Sequence, residues 1–176
     1  MRYWVKLHYN NLSDNSNKLY YSERVLNMFK KICVPIDNSD ISDKVLNEAL
    51  DLAKSSGAQV RVIHVVNLEQ ITFGIEMVGV AELKDTLLEI ANKLLGHVHE
   101  VIAAKGVNAE AALLENYGSD LASVIIEDAK QWGADVFILG SHHLGSLSHF
   151  ITGGVAEDIA HDSDIPILLI TKHKGS

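Results

Sequence analysis

The chain has 176 residues, of which 47% are hydrophobic and 22% are charged, and its formal net charge at pH 7 is −8. That length suits one domain with a single core, and no apolar run reaches the roughly 20 residues of a membrane-spanning helix. The acidic balance argues against nucleic-acid binding, which needs clustered Lys and Arg. The single cysteine, Cys33, leaves no internal disulfide.

Residues 1–27 differ in composition from the rest of the chain, because they hold four of its five tyrosines and neither Ala nor Gly. Their central part, residues 10–17, is polar and aperiodic, which is typical of a loop or of disorder. The first residues lack the apolar stretch of a signal peptide, so we expect a cytoplasmic protein. We predict a poorly ordered N-terminal extension over residues 1–27 and one folded domain over residues 28–174.

After Met28, short apolar runs alternate with longer stretches of helical period, which is typical of βαβ units and a parallel sheet. Cys33 lies within the first run, which favours a buried, unreactive thiol. Right-handed crossovers, with a reversal of strand order between the first and fourth strands, predict an open five-stranded parallel sheet of order 3-2-1-4-5 with helices on both faces. The predicted strands cover residues 32–36, 60–66, 109–114, 136–139 and 167–170.

Capping residues set the expected ends of the helices. Ser39 or Ser42 is expected to cap the first helix, and Ser119 or Asp120 the third. A short fourth helix is expected before the last strand. The first three helices are expected to stop at Gly57, Gly106 and Gly133.

In open parallel sheets, ligands bind beyond the carboxyl ends of the strands, at the point where the strand order reverses. Asp37 follows the first strand, Val65 lies near the end of the second, and Gly140 ends the fourth, so we expect the three to meet there. Asp37 can accept hydrogen bonds from a nucleobase or a ribose. The sequence Asp37-Asn38-Ser39-Asp40 is also typical of a turn and helix cap, so both interpretations stay open.

A loop rich in Gly, Ser and His follows the fourth strand, and the next helix opens on Gly153 and Gly154. Glycine lets the backbone approach an anion closely, and the first amides of a helix have no intrahelical partner, so this pattern is typical of phosphate binding. An ordinary strand-to-helix connection is one alternative. A metal site formed by His142, His143 and His149 is another, although no carboxylate or cysteine completes the ligand set.

Three blocks of the chain carry a resemblance to a known family. They are Lys31-Ile32-Cys33-Val34-Pro35-Ile36-Asp37-Asn38-Ser39, then Val62-Ile63-His64-Val65-Val66, and finally the stretch from Gly133 to His142 with Gly153-Gly154-Val155-Ala156-Glu157 and Asp164-Ile165-Pro166-Ile167-Leu168-Leu169-Ile170. Through these blocks, residues 28–172 resemble the universal stress protein family. The resemblance implies a Rossmann-like fold of the adenine nucleotide α-hydrolase-like superfamily.

The nucleotide-binding branch of that family holds ATP phosphates with the motif Gly-x2-Gly-x9-Gly-Ser/Thr. Gly140 and Gly153 occupy the first and third glycine positions, whereas His143 stands at the second and Gly154 at the hydroxyl position. The resemblance implies that ATP, with Mg²⁺, binds at this motif and at the ends of the first two strands. The implied nucleotide-binding residues are Pro35, Ile36, Asp37, Val65, Leu139, Gly140, Ser141, His142, His143, Gly145, Gly153, Gly154 and Val155.

The resemblance implies a small cytoplasmic stress-response protein that binds ATP or a related adenine nucleotide and acts as a sensor or regulatory module. It also implies a homodimer through residues 166–171, the last strand, which we expect at the sheet edge with unpaired backbone groups. We find no assembled general acid and base, so we predict no catalytic residues and at most slow, magnesium-dependent ATP hydrolysis.

Two other functions compete with nucleotide binding. The first is that of a family member that binds no nucleotide and works through dimerisation and partner binding. The second is that of a ligase or sulfurtransferase of the same superfamily. Such enzymes usually carry a Ser-Gly-Gly-x-Asp-Ser loop after the first strand, and residues 37–40 do not match it. This disfavours the enzyme.

Overall fold

The structure, a computed structural model, describes residues 4–7, 28–69, 80–141 and 154–171. These residues form, in chain order, β1 (Trp4–Leu7), β2 (Lys31–Pro35), α1 (Ser42–Ser56), β3 (Gln59–Asn67), α2 (Val80–Lys105), β4 (Ala109–Asn116), α3 (Leu121–Trp132), β5 (Val136–Ser141), α4 (Val155–Asp162) and β6 (Ile167–Thr171). All paired strands are parallel, and they follow one another across a single sheet in the order β1-β6-β5-β2-β3-β4. Within the described ranges, no helix combines the length and the apolar character that spanning a membrane demands.

The predicted five-stranded parallel sheet is confirmed. Strands β4, β3, β2, β5 and β6 lie side by side, which is the predicted order 3-2-1-4-5. Their bounds differ from the predicted ones by at most two residues. The strand at 109–114, which is rich in Ala, forms as β4 because it pairs along its whole length with β3.

A sixth strand comes from the N-terminal segment. β1 pairs in parallel with β6, so that Trp4 lies opposite Ile167 and Leu7 lies opposite Ile170. The prediction that β6 forms the edge of the sheet is therefore wrong. Backbone donors and acceptors on an edge favour any strand that can pair with them, and here the chain's own N-terminal segment does so. The remainder of the predicted extension over residues 1–27 lies outside the described residues.

Helices cover both faces of the sheet, because successive strand residues point to opposite sides. One face, which includes Val34 and Val62, packs against α1 and α2. The other face, which includes Cys33 and Phe137, packs against α3 and α4. Cys33 is fully buried, as predicted. Its burial raises the pKa of the thiol, and the nearby charge of Asp128 raises it further.

The carboxyl ends of α1 and α3, and the N-cap of α3, follow the sequence prediction. Gly57 and Gly133 end these helices in the left-handed conformation, with φ angles of 68° and 82°, which glycine adopts without a steric penalty. Asp120 caps α3, because its carboxylate accepts a hydrogen bond from the backbone N–H of Ser123 at 2.8 Å. This bond satisfies one of the amides that a helix start leaves without a partner.

Hydrogen bonds at the amino ends of β2 and β5 hold these two strands together. The Asp135 carboxylate accepts from the backbone N–H groups of Lys30 at 2.7 Å and of Lys31 at 3.1 Å. The Lys31 ammonium donates to the carbonyl oxygen of Trp132 at 2.6 Å and lies 4.9 Å from the centroid of its ring. These contacts fix the two strands to each other at their amino ends.

An ion-pair cluster joins α3 to the sheet. Arg61 of β3 donates through Nε and Nη2 to the two carboxylate oxygens of Asp128 in α3, at 2.7 and 2.9 Å. Its Nη1 donates to Glu110 of β4 at 2.8 Å. The hydrogen bond with Asp128 raises the pKa of the Arg61 guanidinium. One guanidinium therefore fixes α3 across two neighbouring strands.

Candidate functional site

The neighbouring strands β2 and β5 separate toward their carboxyl ends. Their ladder stops at the pair formed by Cys33 and Phe137, although β2 runs on to Pro35. On its other side, β5 stays paired with β6 as far as Ser141. We call the region beyond this last pair, between the ends of β2 and β5, the carboxyl-edge crevice. It lies at the point where the strand order reverses, and this is where open α/β sheets bind ligands.

Asp37 organises the loop that follows β2, which we call the Asp37 turn (residues 37–42). Its Oδ1 accepts hydrogen bonds from the backbone N–H of Ser39 at 2.9 Å and from the hydroxyl of Ser42 at 2.8 Å. The turn that the sequence predicted is therefore confirmed. The predicted capping of α1 by Ser39 or Ser42 is wrong. Ile41 is the N-cap residue and makes no side-chain cap, while the Ser42 hydroxyl donates to Asp37 instead.

Gly140 of β5 packs against the start of α1. A Cβ atom at this position would lie 2.7 Å from Cγ2 of Ile41 and 3.0 Å from Cγ2 of Val45. A side chain at position 140 would therefore force these atoms to shift, and its absence lets α1 lie directly against β5. The space beside Gly140 is filled by Ile41. The glycine therefore has a packing role that does not depend on any ligand.

His64 of β3 contacts the residue before the Asp37 turn, and it is absent from the sequence-predicted site residues. Its Nδ1 lies 3.0 Å from the carbonyl oxygen of Ile36. Because a carbonyl oxygen only accepts, Nδ1 carries the proton in this contact. A partly buried histidine inside an apolar strand needs a hydrogen-bond partner, and that requirement is the sequence signal that could have found this residue.

The last turn of α4 leads into the amino end of β6, so the helix runs antiparallel to the strands. Its first turn therefore lies toward the carboxyl edge of the sheet. Gly154 is the N-cap residue, with a φ angle of 94° that side chains rarely adopt, which explains a glycine at the hydroxyl position of the resembled motif. The amides of Val155 and Ala156 have, by position, no partner within the helix and suit an anion. Glu157 and Asp158 place two carboxylates in this turn and oppose an anion.

The described residues of the predicted site come together at the carboxyl edge. At the ends of the three central strands lie Pro35, Ile36, Asp37, Val65, Leu139, Gly140 and Ser141, and α4 begins with Gly154 and Val155. The Leu139 side chain is buried in the core, so its backbone alone can face a ligand. His142, His143, Gly145 and Gly153 lie outside the described residues, as does His149 of the metal alternative. Within the described part of the chain, no group of three or more His, Cys, Asp or Glu side chains could hold a metal ion.

Comparison with known proteins identifies the family. The sequence model of the universal stress protein family matches residues 28–171. The chain belongs to this family. Universal stress protein MJ0531 of Methanocaldococcus jannaschii is 31% identical over 149 residues, which cover 84% of this chain and 85% of the relative. The resemblance that the sequence blocks indicated is therefore confirmed.

Solved structures of universal stress proteins share the fold. The structure of MJ0577, also from Methanocaldococcus jannaschii, aligns with a TM-score of 0.68 at 23% identity and covers 84% of this chain and 99% of that one. The universal stress protein of Archaeoglobus fulgidus in complex with dAMP has a TM-score of 0.58, 23% identity, and coverage of 80% and 96%. A universal stress protein in complex with cAMP has a TM-score of 0.54, 17% identity, and coverage of 81% and 97%. At these identities the likeness shows the fold alone.

Proposed function

We propose that this universal stress protein binds an adenine nucleotide in the carboxyl-edge crevice and acts as a cytoplasmic regulatory module, without fast catalysis. The observation that carries the proposal is that the pairing of β2 with β5 ends at Cys33 and Phe137, at the point where the strand order reverses, with the Asp37 turn and the first turn of α4 at the same edge. Two solved members of the family are complexes with dAMP and cAMP, which supports adenine as the recognised group.

Asp37 and Val65 are the residues proposed for the adenosine part. The turn holds the Asp37 carboxylate through Ser39 and Ser42, which lowers the ordering cost of using it for recognition. A carboxylate has about four acceptor sites, and a ribose hydroxyl and an adenine amino group are both hydrogen-bond donors that suit it. Val65 is half-buried near the end of β3 and offers an apolar contact for the base.

The phosphates are proposed to bind the backbone amides at the start of α4, together with His142, His143, Gly145 and Gly153. The amides fit an anion, whereas the carboxylates of Glu157 and Asp158 do not. Bound Mg²⁺ would neutralise part of the phosphate charge. We therefore expect Mg²⁺ to strengthen ATP binding more than it strengthens AMP binding.

A family member that binds no nucleotide is the second candidate. It is favoured by the acidic first turn of α4 and by the packing role of Gly140, which accounts for that glycine without a phosphate. Such a protein would act through dimerisation and partner binding. A homodimer through residues 166–171 stays a proposal, and it requires β6 to exchange its pairing with β1 for pairing with a second copy.

Titration calorimetry of the full chain with ATP, ADP and AMP, each with and without Mg²⁺, tests the proposal. Asp37→Ala removes both the charge and the turn, and we expect it to weaken binding by about tenfold or more. Asp37→Asn keeps an acceptor for Ser39 and Ser42 while removing the charge, and we expect a smaller loss. Asp43→Asn, on the exposed side of α1, is the matched control and should bind like the wild type. Absence of binding by the wild type would favour the second candidate, and unchanged binding by Asp37→Ala would limit Asp37 to its turn.

A further inference from the structure

The ladder between β2 and β3 ends in a side-chain hydrogen bond. The two strands pair as far as Pro35 and Ile63, and the backbone N–H of Ile36 then donates to the Ile63 carbonyl at 2.9 Å. In a regular parallel ladder, the Ile36 carbonyl would next accept from the backbone N–H of Val65. In the structure, the Ile36 carbonyl instead accepts from Nδ1 of His64, at 3.0 Å. A side chain thus takes the place of a ladder bond at the last residue before the Asp37 turn.

We propose that His64 is a positioning residue of the carboxyl-edge crevice, which fixes the Asp37 turn relative to β3. The Ile36 carbonyl and the Asp37 N–H belong to one planar peptide group. His64 holds the oxygen of that group, and the Ser42 hydroxyl accepts from its N–H at 3.2 Å. The same hydroxyl donates to the Asp37 carboxylate. A continuous series of bonds therefore leads from the imidazole to the carboxylate proposed to recognise the nucleotide.

The strand that carries His64 is suited to this role. β3 lies between β2 and β4, and the backbone of His64 is in register with Leu113 of β4. The donor thus stands on an interior strand, while its acceptor belongs to a loop. A site held by rigid elements loses less conformational entropy on binding. His64 therefore acts on affinity through the orientation of Asp37, without touching the ligand in this proposal.

Two amide substitutions separate this role from general packing. His64→Asn places an amide nitrogen near the position of Nδ1, whereas His64→Gln places it near Nε2, away from the Ile36 carbonyl. In calorimetric titrations of the full chain with ATP and Mg²⁺, which rest on the proposed function, we expect Asn to bind nearly like the wild type. We expect Gln to bind about tenfold more weakly. His99→Gln, on the exposed side of α2, is the control and should change nothing. Wild-type affinity in a folded Gln variant would overturn the proposal.

Two measurements decide the role of His64 even if no nucleotide binds, in which case only the proposed function fails. Nitrogen NMR of the imidazole should find the neutral tautomer protonated at Nδ1, and protonation at Nε2 would overturn the proposal. Hydrogen exchange of the Asp37 amide should be faster in the Gln variant than in the wild type, and equal exchange would also overturn it. If the Gln variant does not fold, the Asn variant decides, because loss of Asp37 amide protection there contradicts the role.

Discussion

Gly140 and Ile41 lie so close together that no side chain fits between them, since a Cβ atom on Gly140 would be 2.7 Å from Cγ2 of Ile41. Gly140 belongs to β5, and Ile41 is the N-cap residue of α1 at the end of the Asp37 turn. Ile41 is only 3% exposed and belongs to the hydrophobic core on that face of the sheet. The contact therefore couples the position of the Asp37 turn to the size of the residue at position 140.

Gly140→Ala should destabilise the fold by about 1–3 kcal/mol, because it overpacks the contact with Ile41. Ile41→Ala alone should cost about 2–5 kcal/mol through the cavity that it leaves. The double variant should lose less than the sum of the two, because Ile41→Ala removes Cγ2 of Ile41, the atom nearest to the new methyl group. Urea denaturation of all four proteins measures the three differences, and strict additivity would contradict the clash.

A second glycine provides the control for this cycle. Gly96 lies in α2, is exposed, and has no atom within 4 Å of the place where a Cβ would stand. Gly96→Ala should therefore stabilise the protein by about 0.5–1 kcal/mol, since Ala has the better helix propensity. If Ala destabilises the protein at position 140 and stabilises it at position 96, the requirement for glycine at position 140 is steric and does not come from backbone flexibility.

The Arg61 and Asp128 pair should contribute more to stability than an exposed pair on a helix. Their side chains are 19% and 18% exposed, whereas Lys93 and Glu89 of α2 are 73% and 68% exposed. Asp128→Ala should cost about 1–3 kcal/mol, because it leaves the guanidinium partly buried without its main partner. A double-mutant cycle that combines Asp128→Ala with Arg61→Ala should give a clear coupling energy. The same cycle for Lys93 and Glu89 should give little or no coupling energy. Equal coupling in the two cycles would contradict this expectation.

The N-cap of α3 gives a prediction about pH. The hydrogen bond from the backbone N–H of Ser123 lowers the pKa of Asp120. A carboxylate with a lower pKa in the folded state stabilises the fold fully above its unfolded pKa of about 4, and this contribution is lost as the pH falls through the folded value. Asp120→Ala should therefore cost about 1 kcal/mol at pH 7 and progressively less in acid.

Asp120→Asn tests the cause of that pH dependence, because it keeps an acceptor for Ser123 but does not titrate. Its stability relative to Asp120→Ala should stay constant with pH, while the wild type should converge on Asp120→Asn at low pH, because a protonated Asp also keeps a neutral acceptor. Chemical denaturation at a series of pH values measures both differences. A stability advantage of the wild type over Asp120→Ala that does not narrow as the pH falls would rule out the proposed linkage.

His143 is the sequence position that departs most from the resembled phosphate motif. If its imidazole contacts a phosphate, His143→Gly should weaken ATP binding, most strongly in acid, where a histidine is commonly charged. If its side chain obstructs the loop, the same change should strengthen binding. We predict weakening, because no Lys or Arg stands between residues 140 and 151 to meet the phosphates. Calorimetry at two pH values decides, and tighter binding by the glycine variant at both would contradict us.

The order of the strands could be predicted because the sequence signals that mark strands and helices are local. The apolar runs, the glycines at helix ends and the cap at Asp120 each act within a few residues, and crossover handedness then limits the topology. The sequence could not tell why Gly140 is a glycine. Phosphate binding and close packing both require one, and the choice depends on how near α1 comes, which is a tertiary distance.

Two other features escaped prediction for related reasons. β1 has four residues, Trp4 to Leu7, and the alternation of apolar and polar residues there is too short to predict a strand before its pairing with β6 is known. His64 lies in an apolar run, and its position in that run does not differ from that of any other strand residue. Its partner is a backbone carbonyl 28 positions away in the chain, and sequence spacing does not reveal such a contact. In both cases the partner, and not the residue type, determines the role.

The pairing of β1 with β6 would make the proposed dimerisation through β6 a competition between strands. A second molecule that uses β6 as its docking strand must displace β1, which belongs to the same chain and competes at an effective concentration on the order of millimolar. The ladder that protects β6 is only four residues long. In the proposed homodimer through β6, small changes near the N-terminus should therefore shift the balance between single and paired chains, whereas the proposed nucleotide site lies on the other side of β5.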